Sequence, residues 1–145
     1  MKKLLLIMLA ALGLSASAVA GGKYSHDASV LPEAARTTIS NNFKAKVSVV
    51  KIEKTLGHIT EYETVLTDGT EISFDNSGNW DNIEVANSKS VPNSIVPQAI
   101  RDYVAKHQPG THIVGIDKEH NGYEIDLSNG VEMKFNSAGE FLRYD

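Results

Sequence analysis

From Tyr123 to Phe135 apolar and polar residues alternate. Tyr123, Ile125 and Leu127 share one parity with Val131, Met133 and Phe135, while Glu124, Asp126, Glu132 and Lys134 take the other. Period two is the mark of a β-strand with one buried and one wet face. An earlier stretch does the same, setting Tyr62, Leu66, Ile72 and Phe74 against Glu63 and Glu71. Val47 to Lys54 and Trp80 to Val85 predict two more strands. Asp68-Gly69 and Asn129-Gly130 are dipeptides of tight hairpins, and Asn76-Ser77-Gly78-Asn79 supplies another turn. Upstream of each strand group the period changes to that of a helix. Leu31, Ala35, Ile39 and Phe43 recur every four residues, and Val96, Ile100, Val104 and His107 make a similar stripe. Pro32 and Pro97 suit the first turns, and Pro109-Gly110 ends the second helix.

These patterns occur twice. Tyr62 to Trp80 matches Tyr123 to Phe141 at an offset of 61, with seven of nineteen pairs identical, among them Gly69/Gly130, Phe74/Phe135 and Gly78/Gly139. Chance at average composition gives about one. Leu31 to Arg36 matches Val96 to Arg101 at an offset of 65, and Val50 to Lys54 matches Val114 to Lys118 at 64, so the length changes fall in connections. The expected unit is one helix plus a four-stranded antiparallel meander, first over residues 31–86 and again over 95–145, with 87–94 as a polar linker. The expected fold class is therefore α+β. One unit is too small to be stable alone, so the two copies are expected to share a core, with helices on one face of a sheet of about eight strands and the opposite face open.

Several short motifs occur in this order: a small apolar residue before Pro-x-Ala, Val-x-Lys-Ile-Glu-Lys, Tyr-Glu followed by Leu and Gly, Glu-x-x-Phe-Asp, and Gly-Asn-Trp. Together they resemble the PepSY-like family of small exported bacterial proteins, also described as β-lactamase-inhibitor-like. The resemblance covers Leu31 to Asp145 and implies a tandem fold like that of β-lactamase inhibitory protein, whose concave sheet grips a partner enzyme. The chain departs from that inhibitor in lacking disulfides, since it has no cysteine.

Composition narrows the functional classes. Met1-Lys2-Lys3, an apolar run from Leu4 to Leu14 and small residues up to Ala20 read as a cleavable signal peptide over residues 1–20, followed by a flexible leader over 21–30. Losing Lys2 and Lys3 leaves the chain two charges more negative than its formal −4. Such a chain lacks the clustered cations that nucleic acid or an anionic membrane requires. Without cysteine, thiol catalysis, zinc–cysteine sites, iron–sulfur clusters and a lipid anchor on a cysteine are excluded. A periplasmic or secreted protein is expected.

Catalytic signatures are missing. The five histidines are scattered, and no nucleophile elbow, triad spacing or phosphate loop occurs. Asp75, Ser77, Asn79 and Asp81 imitate the spacing of a calcium loop, but Gly78 is misplaced and the twelfth position is Ala86, so a polar turn is the better reading. Glu63, Glu71, Glu124, Asp126 and Glu132 alternate with apolar residues and read as the solvated side of strands rather than as catalytic acids. Period two places Trp80 with Asn82 and Glu84, and Phe141 with Arg143, on the open face, where exposed rings flanked by charge form a binding hot spot. The other placement folds both rings over the hairpin. Two function classes follow. One is a non-catalytic binding or inhibitor-like protein that presents its open sheet to an exported protein such as a peptidase or other hydrolase, with Trp80, Phe141, Arg143 and the five carboxylates as contact residues. The other is a small-molecule or metal-ion binding module. No cofactor is expected.

Overall fold

The computed structural model describes residues 22–145, so the expected signal peptide over 1–20 lies outside the described residues. Nine strands form one sheet in sequential order, β1 (Gly22–Ser25), β2 (Val47–Thr55), β3 (His58–Leu66), β4 (Glu71–Asp75), β5 (Trp80–Glu84), β6 (Ile113–Glu119), β7 (Gly122–Leu127), β8 (Glu132–Asn136) and β9 (Phe141–Tyr144). Every neighbouring pair is antiparallel. Helix α1 (Glu33–Asn42) precedes β2 and helix α2 (Gln98–His107) precedes β6.

The ninth strand comes from the segment expected to be a loose leader. Gly22 to Ser25 pairs with Val50 to Glu53, and a single 3-10 turn at Ala28–Val30, capped by the Asp27 carboxylate, leads into α1. Its residues are not apolar in alternation, and the unpaired edge of β2 supplies the order instead.

Both helices start directly after a proline, with Pro32 and Pro97 as N-caps. In each, an arginine one turn in reaches back to the carbonyl before the proline: Arg36 Nε donates to Leu31 O and Arg101 Nε to Val96 O, both at 3.2 Å. Leu31, Ala35 and Ile39 from the first helical segment, and Val96, Ile100 and Val104 from the second, are buried in one continuous cluster. The same cluster takes Val50, Ile52, Tyr62, Leu66, Ile72, Phe74, Ile83, Ile116, Ile125, Met133 and Phe135 from the sheet. His107, expected in the apolar stripe, is exposed and stacks on Tyr103 at 3.8 Å, because a stripe of period four continues from Val104 to position 108.

The turns between strands differ in backbone conformation. Leu56 and Gly57 both have positive φ, as a type I′ two-residue hairpin requires. At Asp68-Gly69 only the glycine does, so this connection, expected to be a two-residue hairpin turn, is the longer form ending in a left-handed glycine. Gly78 and Gly139 carry more constraint. A Cβ on Gly78 would lie 2.8 Å from Pro32 Cβ and 2.9 Å from Ala35 N, and one on Gly139 would lie 3.0 Å from Ala99 Cβ. Each β4–β5-type hairpin thus presses its tip against the first turn of a helix.

Candidate functional site

The face opposite the helices can be followed strand by strand through its registered pairs. One row runs Lys51, Glu63, Ser73, Asn82, Asp117, Glu124, Lys134 and Arg143. A parallel row, two residues along each strand, runs Val49, Val65, Glu71, Glu84, Gly115, Asp126 and Glu132. Cross-strand partners share a face, and alternate residues along a strand return to it. The five predicted carboxylates therefore do lie on one face, Glu63 and Glu71 in the first half and Glu124, Asp126 and Glu132 in the second. Ser73, Glu84 and Asp117 join them, none of which sequence reasoning proposed as contact residues.

The two halves of this face differ in how their charge is compensated. In the second half Lys134 Nζ lies 2.7 Å from Glu119, 3.1 Å from Glu124 and 3.7 Å from Asp145. Glu124, expected to be solvated, is buried, with its side chain only 4% exposed. The hydrogen bond to Glu119 and, against the cost of burial, that to Glu124 raise the Lys134 pKa above the ordinary lysine range. Beside this pair, carboxylate oxygens of Glu124, Asp126 and Glu132 lie within 4.8 Å of one another; among the described residues this is the one cluster with the spacing to hold a metal ion, and no histidine belongs to it.

In the first half compensation stops short. Lys51 pairs with Glu53 and lies 3.2 Å from Glu63. Burial still pushes Glu63 above the ordinary carboxylate range, although Lys51 opposes it. The Glu71 pKa is pushed up to about 7 by burial first, then by the charges of Glu84 and Glu63. No lysine or arginine among the described residues forms an ion pair with it.

Trp80 and Phe141 are not on this face. Trp80 is registered with Phe74, and the register slips by one residue between Ser73/Asn82 and Phe74/Trp80, leaving Asp81 as a bulge. Phe141 is registered with Phe135, with the same slip at Leu142. A bulge reverses the alternation, so both rings turn to the helix face while Asn82, Glu84 and Arg143 stay on the open one. Phe141 stacks on Tyr103 at 4.7 Å and meets Phe135 edge-on at 5.8 Å. Trp80 packs against the core with Lys118 Nζ 3.7 Å over its ring. The expected pairing of exposed rings with charge is thus corrected to a polar face without aromatic anchors in its central strands. Arg143 remains accessible there, its side chain 61% exposed and 3.3 Å from Asp145.

The calcium-loop lookalike is a capped turn. Asp75 Oδ1 accepts from Ser77 N and Asn79 N at 2.9 Å, and Oδ2 accepts from Asn79 Nδ2 at 3.1 Å. Asn136 caps the corresponding turn, accepting from Ala138 N at 3.0 Å and Glu140 N at 2.9 Å. An amide that does the same work shows that the position needs an acceptor rather than a charge.

A family model described as "Putative beta-lactamase-inhibitor-like, PepSY-like" matches residues 19–63 and 60–143. Among solved structures, a protein from Bacteroides vulgatus described as a "putative periplasmic protein of unknown function" is 40% identical over 86% of this chain and 99% of its own, with a TM-score of 0.80. A protein from Bacteroides thetaiotaomicron described as a "putative calcium-regulated periplasmic protein" is 30% identical over 86% of this chain and 96% of its own, with a TM-score of 0.77. A second Bacteroides vulgatus protein, described as a "putative periplasmic protein" of the DUF2874 family, is 31% identical over 86% of this chain and 96% of its own, with a TM-score of 0.75. No curated protein matches.

Proposed function

The chain belongs to the PepSY-like family, and from that premise we propose that it is a non-catalytic periplasmic binding protein, inhibitor-like in form, whose open sheet face docks another exported protein such as a peptidase or other hydrolase. The reading treats the chain as two copies of a helix-plus-four-strand unit, which together place both helices behind one sheet. The observation that carries it is the asymmetry of that sheet. One face is sealed by the helices over a single core, and the other carries two registered rows in which charged and polar side chains predominate, with Val49, Val65 and Gly115 in the second. A broad, rigid, ordered array suits recognition of a protein surface better than turnover of a small substrate. Similarity to proteins described as periplasmic supports the compartment.

The test is site-specific photocrosslinking in intact cells. A crosslinker at Glu63 or Arg143, on the open face, is expected to form a discrete adduct with one exported protein, and one at the exposed helix positions Thr37 or Lys106 is not. Equal labelling from both faces, or no adduct from either open-face position, refutes the reading.

A second reading, binding of a divalent cation, is favoured by the Glu124–Asp126–Glu132 cluster and by the description of the Bacteroides thetaiotaomicron neighbour as calcium-regulated. It predicts that calcium raises the melting temperature and that Glu132→Gln removes the effect. The Lys134 ammonium against Glu124 already supplies positive charge at this spot, which is why the protein-docking reading is preferred.

A further inference from the structure

The open face holds a second feature, apart from the carboxylate cluster of the second half. Ser73 and Asn82 are opposed on β4 and β5, at the middle of the sheet. Both are short and polar, and they are only 0% and 4% exposed. Ser73 Oγ and Asn82 Oδ1 are each buried without a hydrogen-bond partner. Buried polar atoms normally find partners, because leaving one unsatisfied costs free energy. The pair sits inside a ring of acids. Glu63 and Asp117 are its cross-strand neighbours, and Glu71 and Glu84 follow it along the two strands on the same face.

We propose that this ring, Glu63, Glu71, Glu84 and Asp117 around Ser73 and Asn82, seats the guanidinium of an arginine side chain presented by the protein that docks on the open face. The proposal rests on the docking reading above and adds to it the chemistry of the anchor. The orphaned atoms are oxygens that can accept, and the surrounding groups are carboxylates, so the complementary group must donate several hydrogen bonds and carry positive charge. A guanidinium does both, with five donors in a flat fork, and it is less strongly hydrated than an ammonium. The raised pKa of Glu71 is consistent with a carboxylate that lacks its cation. Glu63, Glu71 and Glu84 are longer than Ser73 and Asn82, so a ligand reaches the pair by rotation of these three side chains, with no movement of the strands.

The experiment is a backbone-amide NMR titration of the chain without residues 1–20, using three probes. These are acetyl-Gly-Arg-Gly-amide, the same peptide with neutral citrulline in place of arginine, and calcium chloride. The arginine peptide is expected to shift the resonances of Ser73, Asn82, Glu71 and Glu84 in a saturable way, and citrulline is expected to leave them unmoved. Glu71→Gln combined with Glu84→Gln should weaken arginine-peptide binding by at least about tenfold, since an interaction with desolvated charge is lost. Overlap of the remaining spectrum with that of the parent verifies the fold. Absence of saturable shifts at these four residues, equal response to citrulline, or response to calcium alone overturns the proposal. Any of these results, combined with open-face crosslinks in cells, removes the arginine anchor and leaves docking standing. A response to arginine without such crosslinks removes docking instead.

Discussion

Glu71 is the residue at which the open face is expected to cost stability. Its carboxyl is shifted from an ordinary 4.5 to about 7, by burial first and then by Glu84 and Glu63. At ~1.4 kcal/mol per unit the full shift corresponds to ~3 kcal/mol. The group is half-buried, and water screens part of this, leaving ~1–2 kcal/mol. The sign follows from linkage. A folded-state pKa above the unfolded one means that the native protein holds its proton longer, so stability falls as pH rises from the unfolded value of 4.5 through about 7. Glu71→Gln keeps shape and removes the charge. At pH 8 the variant is expected to be more stable than the parent by ~1–2 kcal/mol, which for a chain of this size raises the melting temperature by roughly 3–8 °C. At pH 4 Glu71 is neutral in the native protein and mostly protonated in the unfolded chain, so the difference should shrink to ~0.2 kcal/mol. Calorimetry on the chain without residues 1–20 at the two pH values, taking the difference between variant and parent at each, cancels the titrations of groups that do not interact with Glu71. A variant no more stable than the parent at pH 8, or an advantage that persists unchanged at pH 4, refutes the reasoning.

Further outcomes follow from the same geometry. Lys134→Ala leaves buried Glu124 without its cation and is expected to cost ~3 kcal/mol in urea denaturation, while adding Glu124→Gln should restore a large part of the loss; equal midpoints for the single and double variants would contradict the pairing. Gly78→Ala combines a φ of +88° with a Cβ 2.9 Å from the Ala35 backbone nitrogen and should destabilise by ~2–4 kcal/mol, whereas Gly57→Ala, at +82° with nothing within 4 Å, should cost only the left-handed penalty of ~1 kcal/mol. Trp80 packed on the core beneath Lys118 is expected to emit at shorter wavelength than in the unfolded chain and to resist acrylamide, with Lys118→Ala increasing access of the quencher; a fully red, quencher-accessible emission in the native state would return the ring to the open face.

Much of the sheet is legible before any coordinates. The alternation of Tyr62, Leu66, Ile72 and Phe74, and of Tyr123, Ile125, Leu127, Met133 and Phe135, reports correctly which side chains enter the core, because period two is a local property of extended backbone. The five carboxylates were placed on the open face by the same rule. That rule fails at Trp80 and Phe141. Each precedes a bulge at its own strand, and a bulge is a property of a strand pair rather than of one strand. A signal was nonetheless present, since Gly78 and Gly139 bring the hairpin tips against the helix starts and leave each following ring nearest to a helix. Segment 22–25 escaped for a related reason, as it is ordered by the free edge of β2 rather than by any pattern of its own.

The amino-acid order alone thus determined the two helices, their proline starts, the strand phases, the acidic sign of one sheet face and the absence of thiol chemistry. Each of these depends on neighbours within a few positions along the chain, or on composition. Tertiary structure decided which residues from different strands stand side by side. Lys134 reaches Glu124 and Glu119 across two strands, Glu71 is left facing Glu84 and Glu63, and Ser73 meets Asn82 with neither oxygen satisfied. Whether a carboxylate is compensated or left waiting for a cation depends on charges brought within a few ångströms by pairing register, and no one-dimensional pattern carries that distance.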